Sequence, residues 1–136
     1  MITQNNSLPI GAFFDFDETL LDTESSRLGF KYLYLLEPVA EDLGFHHLLC
    51  TDLEIGPDGL LTGRAKGPLC LDSTKRVLAE NLAGATRIDL ASSYAYGNHQ
   101  SDLPLLELVG HPYVVEPTGP LKNEAIKNEW PILTYR

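Results

Sequence analysis

The stretch Ile10-Gly11-Ala12-Phe13-Phe14-Asp15-Phe16-Asp17-Glu18-Thr19 decides how the rest of the chain is read. Its first half is short, apolar and aromatic, the pattern of a buried parallel strand rather than a helix. Side chains two positions apart on an extended segment point the same way, so Asp15 and Asp17 both face the space beyond the strand's carboxyl end. Open α/β sheets bind their ligands in that space. Two carboxylates converging there suit a divalent cation and the transfer of a phosphoryl group. A calcium loop fits poorly, because its sixth position would be Leu20 instead of Gly and its twelfth Ser26 instead of Glu. A merely solvated turn after a strand is the remaining bland reading.

Working outward, Ser92 to Gly97 reads as another short strand, followed by the polar loop Asn98-His99-Gln100-Ser101-Asp102 and a helical run from Leu103 to Val109. Asp72-Ser73-Thr74 can cap a helix from Lys75 to Leu82, with Gly84 as its stop. His47 to Ile55 and Leu60 to Arg64 flank Gly56-Pro57-Asp58-Gly59 as strands joined by a turn. Tyr113 to Val115 reads as a strand, Pro120 to Glu129 as a helix and Ile132 to Tyr135 as a final strand. Residues Glu24 to Leu43 have a mainly helical pattern in which Pro38 kinks the helix or begins a new one. Within it, Phe30 to Leu35 fits helix or strand, and helix is favoured. Alternating strand and helix predict an α/β three-layer sandwich with a mainly parallel, Rossmann-like sheet, in one domain over residues 1–136.

Taken together, the Asp-x-Asp-x-Thr strand end, a lysine opening a later helix, and Tyr96-Gly97-Asn98 with Asp102-Leu103-Pro104-Leu105-Leu106 resemble the haloacid dehalogenase superfamily of phosphohydrolases. The nearest branch looks like phosphoserine phosphatase, and the resemblance covers nearly the whole chain. It implies that Asp15 is a nucleophile, Asp17 a general acid and base, and Lys75 a catalytic cation. It also implies Mg²⁺ held by Asp15, Asp17 and Asp102, with Thr19, Lys75 and Asn98 at the phosphate. Thr19 can equally serve to hold the turn after Asp17. Lys75 could be no more than a solvated lysine in a first helical turn.

Two departures from the branch stand out. The branch carries a helical cap and then a strand ending in a phosphate-gripping Ser or Thr, whereas no Ser or Thr occurs here between Ser26 and Thr51. Neither the cap nor that second motif is visible, so the expected core is capless. The other departure is Asn98, where many relatives have a metal-binding Asp; a neutral amide contributes less to Mg²⁺ affinity. Two function classes stay open: a phosphomonoesterase of broad specificity, and a degenerate relative that acts as a binding or interaction module.

A formal net charge of −9 with no Lys/Arg cluster excludes nucleic-acid binding as the expected role. Two isolated cysteines, Cys50 and Cys70, make neither a disulfide framework nor a zinc site and are expected as reduced thiols. With no signal peptide, membrane span or lipidation motif visible, a cytoplasmic protein is expected. His46-His47 reads as a surface or packing pair rather than a metal site, His99 as a loop histidine that could touch a substrate, and Tyr94, Tyr96 and Trp130 as core and packing residues. In the branch the second strand lies beside the first, so its loss opens a gap next to the Asp15 strand. That gap, with the apolar run from Phe30 to Leu36, predicts a homodimer.

Overall fold

The computed structural model describes residues 7–15 and 33–135. The elements in chain order are β1 (Ala12–Phe14), α1 (Leu33–Asp42), β2 (Leu53–Ile55), β3 (Leu61–Ala65), α2 (Ser73–Thr86), β4 (Tyr94–Gly97), α3 (Leu103–Leu106), β5 (His111–Val115), α4 (Gly119–Lys127) and β6 (Ile132–Leu133). Four strands form one parallel sheet in the order β1-β4-β5-β6, and β2 and β3 form a separate antiparallel hairpin. This is the expected α/β organisation, a parallel sheet with flanking helices.

The sheet grows in one direction along the chain, so each crossover moves one strand over the same way. Right-handed connections then place α2, α3 and α4 on one face. Burial agrees: Phe13, Ala95 and Val114 pack with Ala79, Leu105, Leu106, Leu121 and Ala125 in one core cluster. Strand alternation sends the intervening residues to the second face. There Phe14 stacks on Tyr96 at 4.6 Å, Tyr96 on Tyr113 at 5.2 Å, and Tyr94 on His111 at 4.8 Å. Phe45, from the segment after α1, meets Phe14 edge-on at 5.5 Å. Tyr94 and Tyr96 are therefore packing residues, but of a half-buried aromatic row and not of the central core.

Long-range hydrogen bonds fix β1 against β4. Ser93, completely buried, accepts the Gly11 amide at 2.9 Å and donates to the Asp89 carbonyl at 2.5 Å. One hydroxyl thus sets the register in which Phe13 lies beside Ala95. Asp89 in turn accepts the Ala91 and Ser92 amides and starts the 3₁₀ turn Leu90–Ser92.

Several boundaries differ from the sequence reading. The strand expected from His47 is ordered as strand only over Leu53–Ile55. Ser92 belongs to the 3₁₀ turn, so β4 begins at Tyr94. The expected helix to Val109 ends at Leu106. Asp72 makes no capping bond, having φ +45, and α2 starts at Ser73. Gly84 does not stop α2, which continues to Thr86 and ends at Arg87 in the left-handed region. Pro38 lies inside α1, and Leu33 to Leu35 are helical, as favoured. The turn at residues 56–59 is as expected: Gly59 has φ +78, and Asp58 Oδ1 accepts the Leu60 amide at 3.0 Å.

Gly110 marks the tightest approach between backbones. A Cβ built there would lie 1.7 Å from the Ala91 carbonyl oxygen, and the Gly110 amide donates to the Leu90 carbonyl at 3.0 Å. Gly110→Ala must push the 3₁₀ turn away from the start of β5, and overpacking of this kind costs about 1–3 kcal/mol. Urea unfolding checks it; a variant as stable as the parent would mean that the two segments are not held this closely.

Candidate active site

The site gathers where the parallel strands end. Asp15 follows the last residue of β1, and its amide donates to the Tyr96 carbonyl at 2.9 Å, continuing the β1–β4 ladder by one bond. The carboxylate therefore lies at the carboxyl end of β1. Asp102 comes from the loop after β4, and Lys75 from the first turn of α2.

Lys75 joins the two acids. Its Nζ donates to Asp15 Oδ1 at 2.7 Å and to Asp102 Oδ1 at 2.5 Å. The side chains are 17%, 14% and 1% exposed for Lys75, Asp15 and Asp102, so the cluster is screened little by water. Burial alone would pull the Lys75 ammonium below its usual range. The charges of Asp15 and Asp102 and their hydrogen bonds outweigh it and hold the pKa well above.

Asp102 is the most enclosed of the three. Its Oδ2 accepts the Asn98 amide at 3.1 Å and the His99 amide at 3.0 Å, while Oδ1 takes Lys75. Three donors thus meet a carboxylate that burial would otherwise penalise heavily. Its seat requires Gly97: a Cβ there would lie 2.6 Å from Asp102 Cβ and 2.9 Å from its Oδ2. Gly97 is a site residue beyond those expected from the sequence, although a glycine closing a strand just before the polar loop signals such an approach. Ser93, which fixes the register of β1 on β4, is equally unannounced, since a serine at a strand start carries no sequence signal of burial.

The structure brings Asp15, Lys75 and Asp102 together; Asp17 and Thr19 lie outside the described residues. Asn98 contributes its main-chain amide to Asp102. His99 does not stand free in its loop: its Nδ1 accepts the Ser101 amide at 3.2 Å and lies 3.0 Å from Ser101 Oγ, capping the 3₁₀ turn Gln100–Asp102. His46 and His47 are exposed. Among the described residues no three His, Cys, Asp or Glu side chains converge as a metal cage. Asp15 and Asp102 nevertheless present two hard oxygens to one cationic nitrogen. Such a donor pair fits Mg²⁺, which is commonly held by one or two carboxylates with waters and substrate oxygens completing its shell.

Beside the site runs a cleft of about 1080 Å³ along β1, lined by Phe14, Asp15, Phe45, Cys70, Leu71 and Lys75 among others.

Lys75 is protonated throughout the neutral range. Because its folded pKa is raised, the stability it supplies is complete below its unfolded pKa and lost only as pH rises through the folded value. Lys75→Met removes the cation that Asp15 and Asp102 share, and breaking such a buried pair costs about 3–5 kcal/mol. Denaturant unfolding at neutral pH measures this; a variant as stable as the parent would show that Lys75 does not join the two acids.

Residues 31–107 match the family model of the haloacid dehalogenase-like hydrolases. The chain is 37% identical over 105 residues to the "inhibition of morphological differentiation protein" of Streptomyces azureus, covering 74% of this chain and 36% of that protein. It is 33% identical over 125 residues to a histidinol-phosphatase of Neisseria meningitidis serogroup C, covering 88% of this chain and 53% of that one. The chain thus spans between about a third and a half of the length of these curated relatives. A crystal structure of a protein of unknown function from Bordetella pertussis Tohama I superposes with a TM-score of 0.67 at 30% identity, over 75% of this chain and 47% of that chain. A substrate-bound phosphoserine phosphatase complex shares the fold, with a TM-score of 0.67 at 14% identity over 90% of this chain and 99% of that chain. With its parallel sheet and this match over more than half of its length, the chain belongs to the haloacid dehalogenase-like hydrolase family.

Proposed function

We propose that the chain is a Mg²⁺-dependent phosphomonoester hydrolase that works through an aspartyl-phosphate on Asp15. The observation that carries the reading is the Asp15–Lys75–Asp102 cluster at the carboxyl end of the sheet. Family membership and relatives named as phosphatases support it.

In this reading Asp15 attacks phosphorus, splitting one difficult hydrolysis into two displacements. Lys75, already on Asp15 Oδ1, offsets negative charge as the phosphoryl group arrives. Asp17 gives a proton to the leaving alcohol and later takes one from water. Asp15, the Asp17 main-chain carbonyl and Asp102 would hold Mg²⁺, which when bound draws charge from the transferring group. Thr19 and Asn98 complete the phosphate surroundings. Asp102 keeps the loop after β4 folded against the site through its bonds to the Asn98 and His99 amides.

Broad specificity follows from the missing cap, since little remains to select the leaving alcohol or exclude water. The protein acts in the cytoplasm on small phosphorylated molecules, as a single domain over residues 1–136. No helix among the described residues is long and apolar enough to cross a membrane. A binding module without turnover is the second reading, favoured by the lack of any Ser or Thr between Ser26 and Thr51.

Turnover of an aryl phosphate with and without Mg²⁺ separates the two. Asp15→Asn should lower it by about 10³-fold or more. Equal residual rates in parent and variant would remove the hydrolase reading. Asp102→Ala should raise the half-saturating Mg²⁺ concentration by roughly 10- to 100-fold, and Asn98→Ala far less. Identical titrations would take Asp102 out of the ligand set.

The proposed assembly is a homodimer. Among the described residues β1 ends the sheet, with β4 as its strand neighbour, and Ile10, Phe14 and Leu43 are exposed near it. An unpaired edge beside apolar side chains is the kind of surface that a second copy covers. Light scattering at micromolar concentration tests this: a stable folded particle of the single-chain mass, 15.0 kDa, would overturn it.

A further inference from the structure

Cys50 and Cys70 lie on two segments that run side by side. The Cys70 amide donates to Thr51 Oγ1 at 2.9 Å, and the Cys70 thiol approaches the Leu49 carbonyl at 3.5 Å. Position 70 is thus bonded to both chain neighbours of Cys50. The contact extends into the hairpin, where the Lys66 amide donates to the Asp52 carbonyl at 2.9 Å. Both thiols are free, half-buried and on the wall of the cleft that also holds Asp15 and Lys75.

The tight turn after Cys70 gives the pair its leverage. The Leu71 amide returns to the Leu69 carbonyl at 2.9 Å, the Thr74 amide to Leu71 at 2.9 Å and the Lys75 amide to Asp72 at 3.1 Å. Only this turn separates Cys70 from Lys75 in the first turn of α2. Whatever holds Cys70 holds the start of α2.

We propose that Cys50 and Cys70 form a reversible internal disulfide that ties residues 49–52 to the start of α2 and restricts access to Asp15 and Lys75. A bridge needs Cα atoms about 4.4–6.8 Å apart. The oxidant is a small disulfide of the glutathione class. The Cys70 thiolate attacks one sulfur of that disulfide and expels the other as thiolate. The Cys50 thiolate then attacks Cys70 sulfur and expels the second. Two electrons pass from the cysteine pair into the oxidant's S–S bond, and the two protons end on the released thiols. Burial disfavours ionisation of both cysteines; at Cys70 the Lys75 ammonium counteracts that effect and the Asp15 charge adds to it.

The test uses the full chain incubated with oxidised glutathione, alkylated and weighed intact. The expected product has lost about 2 Da, yields a peptide linking Cys50 to Cys70, and reverts with dithiothreitol. Cys50→Ser and Cys70→Ser should each stop at a mixed glutathione disulfide. Glutathione left on either thiol of the parent, bridges between two chains, or unmodified protein at redox equilibrium would each overturn the pairing. The effect on access rests on the hydrolase reading: aryl-phosphate turnover should fall on oxidation of the parent and not of the double variant Cys50→Ser with Cys70→Ser, which no glutathione can modify. An inactive reduced protein would count against that reading while the mass measurement still decides the disulfide.

Discussion

Two acids at the end of a parallel sheet can be buried only if something positive lies between them, and Lys75 does so. The constraint reaches far into the fold. Asp102 can be fully enclosed because Lys75 and two main-chain amides meet its oxygens. Gly97 has to be glycine for that seat to exist, and α2 has to start at Ser73 for its third residue to reach across. A cluster built this way contributes little net stability, since desolvation offsets most of the attraction, while losing one member is costly. What it supplies is position, two carboxylates held on one cation at the end of the sheet.

The sheet divides labour between its faces. One face packs against α2, α3 and α4 with small or branched residues, Ala95 and Val114 beside Phe13. The other presents stacked rings from Phe14 through Tyr96 to Tyr113. Offset aromatic pairs add about 0.5–1.5 kcal/mol each beyond the area they bury. That row stiffens the strands bearing the site from the side opposite the helices.

Much of this is legible in the residues themselves. The apolar run before Asp15 and the polar loop after Gly97 locate β1 and β4, although β1 is not the wholly buried strand expected: of its three residues only Phe13 is buried. The helix bearing Lys75 is also legible, but not its limits. Asp72 has the right side chain for a cap yet adopts φ +45, and Gly84 is compatible with a helix that its neighbours prolong to Thr86. The strand expected from His47 shrinks to Leu53–Ile55 because apolar content alone cannot say where pairing begins. Ser93 is hidden for a different reason. Its role depends on a group outside its own strand, the Gly11 amide, which no local pattern announces.

The distance between partners has a kinetic meaning. Lys75 lies 60 positions from Asp15 and 27 from Asp102, and the Ser93 bond to Gly11 spans 82. None of these contacts can form by local helix or hairpin closure, so each carries the entropy of a long loop. The site therefore comes into being late, with the sheet, and a chain that has made only its helices and the β2–β3 hairpin has no site at all.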